Sequence, residues 1–266
     1  MNDLRITPIQ TDIIWENREE NLCKQQKTLQ KLKGTTDIVI FPEMFTTGFS
    51  MNSRNLAETE NGETISRLKY WANTYEFALS GSFICNQNDK FYNRGFFIAP
   101  GNQITFYDKR HLFRVGKENL SFSEGQQQTI ISYKGWNICL SICYDLRFPV
   151  WLRNNNIRYD LLIIPACWPH SRISVWDILL QARAIENQAY VCGVNRIGHD
   201  PMGIYYSGHT TVIDPKGKII LSTPEERETH ITTTLSAEKL ITFRQKFPIL
   251  QDADYYDAVA VSGHFH

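Results

Sequence analysis

Apolar and polar residues alternate along this chain in short runs that switch between two periods. The switching predicts strands interleaved with helices. Residues 4–8 form a first strand, and 17–33 a polar helix with a narrow apolar stripe, closed by Gly34 in the place of a C-terminal cap. A second strand covers 38–41, and Glu63–Tyr75 is a helix with Ile65, Leu68 and Trp71 on one side. Strands at 77–85 and 95–99 lead through Pro100-Gly-Asn into a strand at 104–107. Lys134-Gly135 turns Thr129–Tyr133 back into a strand that ends at Cys143. Next come a helix at about 147–156, a strand at 161–164 and a long helix over 175–188, with Val175, Ile178, Leu179, Ala182 and Ile185 as its apolar face. Residues 190–194 precede a hairpin whose Asp214-Pro-Lys-Gly217 turn has Pro and Gly where a type I turn takes them.

Two of the strands echo each other. Asp37-Ile-Val-Ile-Phe-Pro42 and Asp160-Leu-Leu-Ile-Ile-Pro165 share an Asp, four apolar residues and a Pro, and each follows a helix. Two strand–helix halves of this kind predict paired sheets packed face to face with helices outside. No linker interrupts the pattern, so one domain is expected over 1–266. Residues from about 245 onward form an extension suited to an oligomer interface.

Composition narrows the function classes. Lys plus Arg and Asp plus Glu balance at 28 each, which leaves no basic excess for nucleic acid and no charged tail. The N-terminus lacks the apolar core of a signal peptide, and no stretch approaches a membrane span, so a cytoplasmic protein is expected. Six cysteines, at 23, 85, 139, 143, 167 and 192, show no Cys-x-x-Cys pair and mostly lie in apolar runs, as free thiols do. The seven histidines include no helical metal-binding pair, so no metal is expected.

Chemistry gathers at three strand ends. In Asn137-Ile-Cys-Leu-Ser-Ile-Cys143-Tyr-Asp-Leu-Arg-Phe-Pro149 an alternating run ends at a thiol, and Pro149 opens a helical turn. Such an elbow lifts a nucleophile toward backbone N–H groups that favour a thiolate and can hold an oxyanion. A buried packing cysteine fits the same run. Glu43 ends Asp37-Ile-Val-Ile-Phe-Pro-Glu43, where ligands of α/β sheets bind. Lys109 ends the strand-like run from Ile104 and could steady a tetrahedral intermediate or merely face solvent. Cys139 lies about 13 Å from Cys143 along a strand, too far for a disulfide, and reads as a packing residue beneath it.

Taken together, Phe41-Pro42-Glu43, Asp108-Lys109-Arg110-His111-Leu112-Phe113 and Ile142-Cys143-Tyr144-Asp145-Leu146-Arg147-Phe148-Pro149 resemble the Glu, Lys and Cys motifs of the nitrilase superfamily of carbon–nitrogen hydrolases. Order and spacing match, at 66 and 34 residues. Pro165-Ala-Cys-Trp-Pro169 and the run from Gln181 to Val191 match too, and the likeness spans about residues 3–245. Phe45-Thr-Thr-Gly-Phe49 and Trp168-Pro169 look like the omega-amidase branch. The resemblance implies an α/β fold, a four-layer αββα sandwich, and a homodimer that needs no cofactor. It implies Glu43 as general base, Cys143 as nucleophile, and Lys109 with the Tyr144 N–H as oxyanion hole. A second glutamate is Glu118 or Glu124, the offset to Gly125 favouring Glu118. The substrate class is a small ω-amide of a dicarboxylic acid, with N-carbamoyl amino acids or nitriles as the alternative. A thiol sensor on the same scaffold is the reading from another class. Phe45, Phe113, Trp168 and Trp176 are candidate pocket walls and Arg172 a candidate for a substrate carboxylate, whereas Arg147 and Arg183 read as internal partners of carboxylates.

Overall fold

The structure, a computed structural model, describes residues 1–254. In chain order the strands are β1 (Leu4–Gln10), β2 (Ile38–Ile40), β3 (Ala78–Gln87), β4 (Lys90–Ala99), β5 (Gln103–Asp108), β6 (Thr129–Tyr133), β7 (Trp136–Leu140), β8 (Leu161–Ala166), β9 (Tyr190–Asn195), β10 (Ile197–His199), β11 (Tyr205–Ser207), β12 (Thr211–Ile213), β13 (Ile219–Ser222), β14 (Thr229–His230) and β15 (Thr233–Leu235). The helices are α1 (Arg18–Gln30), α2 (Ser53–Leu56), α3 (Glu63–Tyr75), α4 (Glu118–Ser121), α5 (Pro149–Leu152), α6 (Ile173–Asn187) and α7 (Ala237–Lys246).

One sheet runs β14-β1-β2-β3-β4-β5, with β15 also on β1, and the other β13-β12-β9-β8-β7-β6. The sequence echo is a topological one. β1, β2 and β3 are parallel neighbours, as are β7, β8 and β9. Each trio is then extended by two antiparallel strands, β4 and β5 or β12 and β13. The two aspartates hold corresponding places: Asp37 accepts the Arg5 N–H at 2.8 Å and Asp160 the Asn137 N–H at 2.9 Å.

Alternation along β2 separates the layers. Ile38 and Ile40 join the core shared by the two sheets, while Val39 and Phe41 pack with Leu22 and Leu29 of α1 and Ile65, Leu68 and Trp71 of α3. On the far side α6 covers the second sheet through Trp176, Leu180 and Ala184. Gly193 of β9 lies beneath it, where a Cβ would come within 2.7 Å of Trp176 and 2.6 Å of Leu180. Helix, sheet, sheet and helix therefore stack as the predicted αββα sandwich.

Three local expectations change. α1 is capped by Asn17, whose side chain accepts the Glu20 N–H, but it ends at Gln30, and Gly34 (φ +78°) serves the turn beyond. The helix expected at about 147–156 is only the short α5, with Pro149 opening it as predicted. Asn154 ends it by bonding both the N–H and the carbonyl of Tyr159, at 3.0 and 2.9 Å. On α6 the buried face is Trp176, Leu180, Arg183, Ala184 and Asn187, and Ile178 and Ile185 of the predicted apolar face are 65% and 51% exposed. Polar residues occupy the inner face because their bonds are met there: Arg183 donates twice to the Leu146 carbonyl, at 2.7 and 3.1 Å.

Candidate active site

Past β7 the chain stays beside β8, the Ser141 N–H donating to the Ile163 carbonyl at 3.1 Å, and then folds into a 3₁₀ turn, Cys143–Arg147. Cys143 has φ +45°, a left-handed conformation that costs a non-glycine residue energy and recurs at functional elbows. Buried Asp145 holds the elbow. Its carboxylate accepts the Ile142 N–H at 3.0 Å, the His111 N–H at 2.9 Å and the Tyr107 hydroxyl at 2.7 Å. The thiol is thereby fixed to the end of β5, on which Tyr107 lies. Tyr144 follows in the first turn, where amide N–H groups have no partner within the turn.

Glu43 stands just past β2 and is fully buried. The next residue, Met44 (φ +44°), donates its N–H to Ser82 Oγ at 2.8 Å, so the chain keeps to the edge of β3. Glu43 Oε1 accepts from Lys109 Nζ at 2.8 Å and Asn93 Nδ2 at 2.7 Å, and Oε2 from the Cys167 N–H at 2.8 Å. Lys109 Nζ also donates to both oxygens of Glu118, at 2.9 and 3.0 Å. The Lys109 carbonyl accepts the Gly125 N–H at 2.9 Å, and only glycine fits there, since a Cβ would stand 2.0 Å from the Asp108 carbonyl oxygen. Of the two candidate second glutamates, Glu118 is the one beside Lys109. Glu124 is exposed and paired with Arg110 at 3.4 Å.

These charges set each other's protonation. Burial, then the Glu43 carboxylate, pushes the Cys143 thiol well above its usual range, against the opposing pull of Lys109. Burial works against charge on Lys109, yet Glu118 and Glu43 outweigh it and hold the ammonium well above its ordinary pKa. Glu118 is raised, by burial first, with Lys109 opposing and Glu43 adding. At neutral pH the site therefore presents a neutral thiol beside an ammonium. Cys143 and Lys109 line a cavity of about 360 Å³.

The carbon-nitrogen hydrolase profile matches residues 5–245. The chain belongs to this family. This carbon-nitrogen hydrolase is 40% identical over 256 residues to the omega-amidase YafV of Escherichia coli (strain K12), covering 96% of this chain and 99% of the relative. It is 32% identical to the 2-oxoglutaramate amidase of Bacillus subtilis (strain 168), covering 93% and 96%. The crystal structure of XC1258 from Xanthomonas campestris, a CN-hydrolase superfamily protein with an arsenic adduct in its active site, superimposes with a TM-score of 0.94 at 38% identity, covering 96% of this chain and 99% of that one.

Not every candidate wall of the hydrolase lines the cavity. Phe113, Trp168 and Arg172 do, with Tyr144. Phe45 does not: it stacks on Phe41 at 4.5 Å in the core beneath α1 and α3. Trp176 stands behind Trp168, centroids 5.4 Å apart, with Nε1 donating to the His209 carbonyl at 2.9 Å. Arg147, read as an internal partner, lines the cavity instead, its guanidinium 5.0 Å from the Trp168 centroid. Arg172 sits 5.2 Å from the Phe113 centroid. Among the described residues neither guanidinium forms an ion pair. Arg183 does, with Glu186 at 3.0 Å. Among those residues no group of three or more His, Cys, Asp or Glu side chains could hold a metal. Sequence reasoning missed Asn93, Asp145 and Cys167 as members of the site.

Proposed function

We propose that the chain is an omega-amidase hydrolysing the terminal amide of a small ω-amidodicarboxylate such as 2-oxoglutaramate, within a single domain over 1–266. One observation carries the substrate class: Arg147 and Arg172, which have no acidic partner among the described residues, line the cavity that holds the thiol. The acidic residue in the lining, Asp200, is engaged by the Met202 and Ile204 N–H groups and the Tyr206 hydroxyl, so a planar substrate carboxylate would answer the two guanidiniums. The names of the relatives, omega-amidase and 2-oxoglutaramate amidase, support the same class.

In the proposed mechanism Glu43 takes the proton of the Cys143 thiol as sulfur attacks the amide carbon. Lys109 Nζ and the Tyr144 N–H receive the oxyanion, a contribution of about 3–4 kcal/mol per donor. Collapse expels ammonia, protonated by Glu43, and leaves a thioester. Glu43 then takes a proton from water as its oxygen attacks the thioester carbon, the C–S bond breaks to release the dicarboxylate, and Glu43 returns that proton to the Cys143 sulfur. Glu118 holds Lys109 in place with both oxygens and takes no proton in this scheme.

The test is a comparison of kcat/KM for 2-oxoglutaramate and succinamate with simple aliphatic amides, N-carbamoyl amino acids and nitriles. The ω-amides are expected to be preferred. Preference for the uncharged amides would remove the carboxylate clamp, and preference for carbamoyl compounds would replace the substrate class. Arg147→Ala and Arg172→Ala are each expected to raise KM about ten- to hundredfold, as loss of a hydrogen bond to a charged group does. An unchanged KM in both would leave the carboxylate without its assigned partners.

As a homodimer in the reducing cytoplasm, the chain would cover the outer face of α6, where Ile178 and Ile185 are exposed, together with Phe247. Tyr255 and Tyr256, aromatic residues of the same expected interface, lie outside the described residues. Light scattering at micromolar concentration is expected to give twice the chain mass, and a single species at 30.9 kDa would refute the dimer.

A further inference from the structure

We infer that Asn93 is a positioning residue of the hydrolase, the group that locks Glu43 and Glu118 onto Lys109 and leaves one chosen oxygen of Glu43 free to act as base. The inference rests on the amide-hydrolysis reading above and deepens it. Asn93 lies on β4 and is fully buried. Its Nδ2 donates to Glu43 Oε1 at 2.7 Å and to Glu118 Oε1 at 3.1 Å, while its backbone carbonyl accepts the Lys109 N–H at 3.0 Å. One residue therefore bonds to Glu43, Glu118 and the backbone of Lys109.

The chemistry fixes which way the amide points. Reversed, its oxygen would set lone pairs against two carboxylate oxygens, so the NH₂ group must face them and spend both hydrogens there. The consequence is visible on the other side of the amide. Asn93 Oδ1 is buried and has no hydrogen-bond partner among the described residues. Orphaned buried acceptors are rare, because they have given up water for nothing. Here the position forgoes a satisfied acceptor in order to supply two donors between like charges.

Two effects follow. Lys109 alone offers one positive charge to two carboxylates, and the amide dipole supplies the remaining positive potential between them. Glu43 Oε1 also becomes saturated, with Lys109 and Asn93 both donating to it, whereas Oε2 receives only the Cys167 N–H. Oε2 is thus the oxygen with a lone pair left for the thiol proton. Fixing that oxygen before substrate arrives removes a rotation that would otherwise have to be frozen in the transition state.

Asn93→Ala removes both donors and Asn93→Ser keeps one. Each variant is assayed on whichever amide of the panel the wild-type protein hydrolyses fastest, with kcat expressed per folded molecule from thermal denaturation. Silence of the wild type toward ω-amides would thereby remove the substrate class without touching this proposal. For Asn93→Ala the expectation is a kcat lower by about 100-fold, a KM within about threefold and an acid limb of the kcat/KM profile moved up by about one pH unit, because the carboxylates lose donors that favour their charged forms. Asn93→Ser should fall between, and carries the test alone if alanine does not fold. A kcat per folded molecule within about threefold of wild type with the acid limb unmoved, or a loss expressed only in KM, would overturn the proposal.

Discussion

Cys143→Ala is expected to remove turnover, by at least about 10⁴-fold, while the protein stays folded. The side chain belongs to the core between the sheets but also lines the cavity, and only one sulfur is removed, so the packing loss is small. Its role depends on place. Of the six thiols only Cys143 occupies a left-handed elbow beside both Lys109 and Glu43. Cys139, four residues earlier, is buried in the sheet core with its thiol pushed up to about 12 by burial, and Cys139→Ala should keep most activity. Burial and Glu43 push the Cys143 thiol well above its usual range, so the proposed attack needs a base to take its proton. Cys143→Ala retaining about a tenth of the wild-type rate, with chemistry limiting, would remove the thiol from the mechanism.

Glu43→Gln should be the next most damaging change. The amide keeps the shape of the side chain but has no basic oxygen, and loss of a general base lowers kcat by about 10²–10⁴-fold. Its orientation is forced. Lys109 and Asn93 both donate at the Oε1 position, so the glutamine oxygen must lie there. The NH₂ group then meets the Cys167 N–H, donor against donor, in place of a 2.8 Å hydrogen bond. That mismatch should destabilise the fold by about 1–3 kcal/mol, readable as a lowered Tm, while KM stays close to wild type. A Glu43→Gln variant with kcat within about tenfold of wild type would mean that another group takes the thiol proton.

The parts of this molecule that were readable in its sequence are those governed by local pattern. Strand periodicity located β1, β2, β7 and β8, and the Asp37 and Asp160 echo foretold two related sheet halves. Glu43, Lys109 and Cys143 stood out because each follows an apolar run, and in a layered α/β fold such ends converge. Where the reading failed, tertiary partners had overridden pattern. β4 was expected at 95–99 but begins at Lys90, because Asn93 and Arg94 look like turn residues until their partners are known. Arg94 is buried against Asp108 at 2.7 Å and Asn93 against two glutamates. On α6 the same effect rotated the buried face: Val175 and Leu179 still pack on the core, but Ile178 and Ile185 face outward, since Arg183 and Asn187 are polar by composition and interior by hydrogen bonding. The roles of Phe45, Trp176 and Arg147 turned on side-chain direction, which spacing along a chain does not encode. Asn93 had a faint signal: a polar residue in the strand that pairs with the Lys109 strand.

The central claim, that this chain cleaves an amide through a thioester on Cys143, is tested most directly by hydroxylamine partitioning. Hydroxylamine competes with water for a thioester whether or not the intermediate accumulates. With succinamate as substrate, rising hydroxylamine should divert product from succinate to the hydroxamate while ammonia release continues. Mass spectrometry of acid-quenched protein should place the succinyl group on the peptide containing Cys143, and Cys143→Ala should yield neither product nor adduct. Ammonia released with succinate alone at saturating hydroxylamine, or a succinyl group on any other residue, would contradict the account.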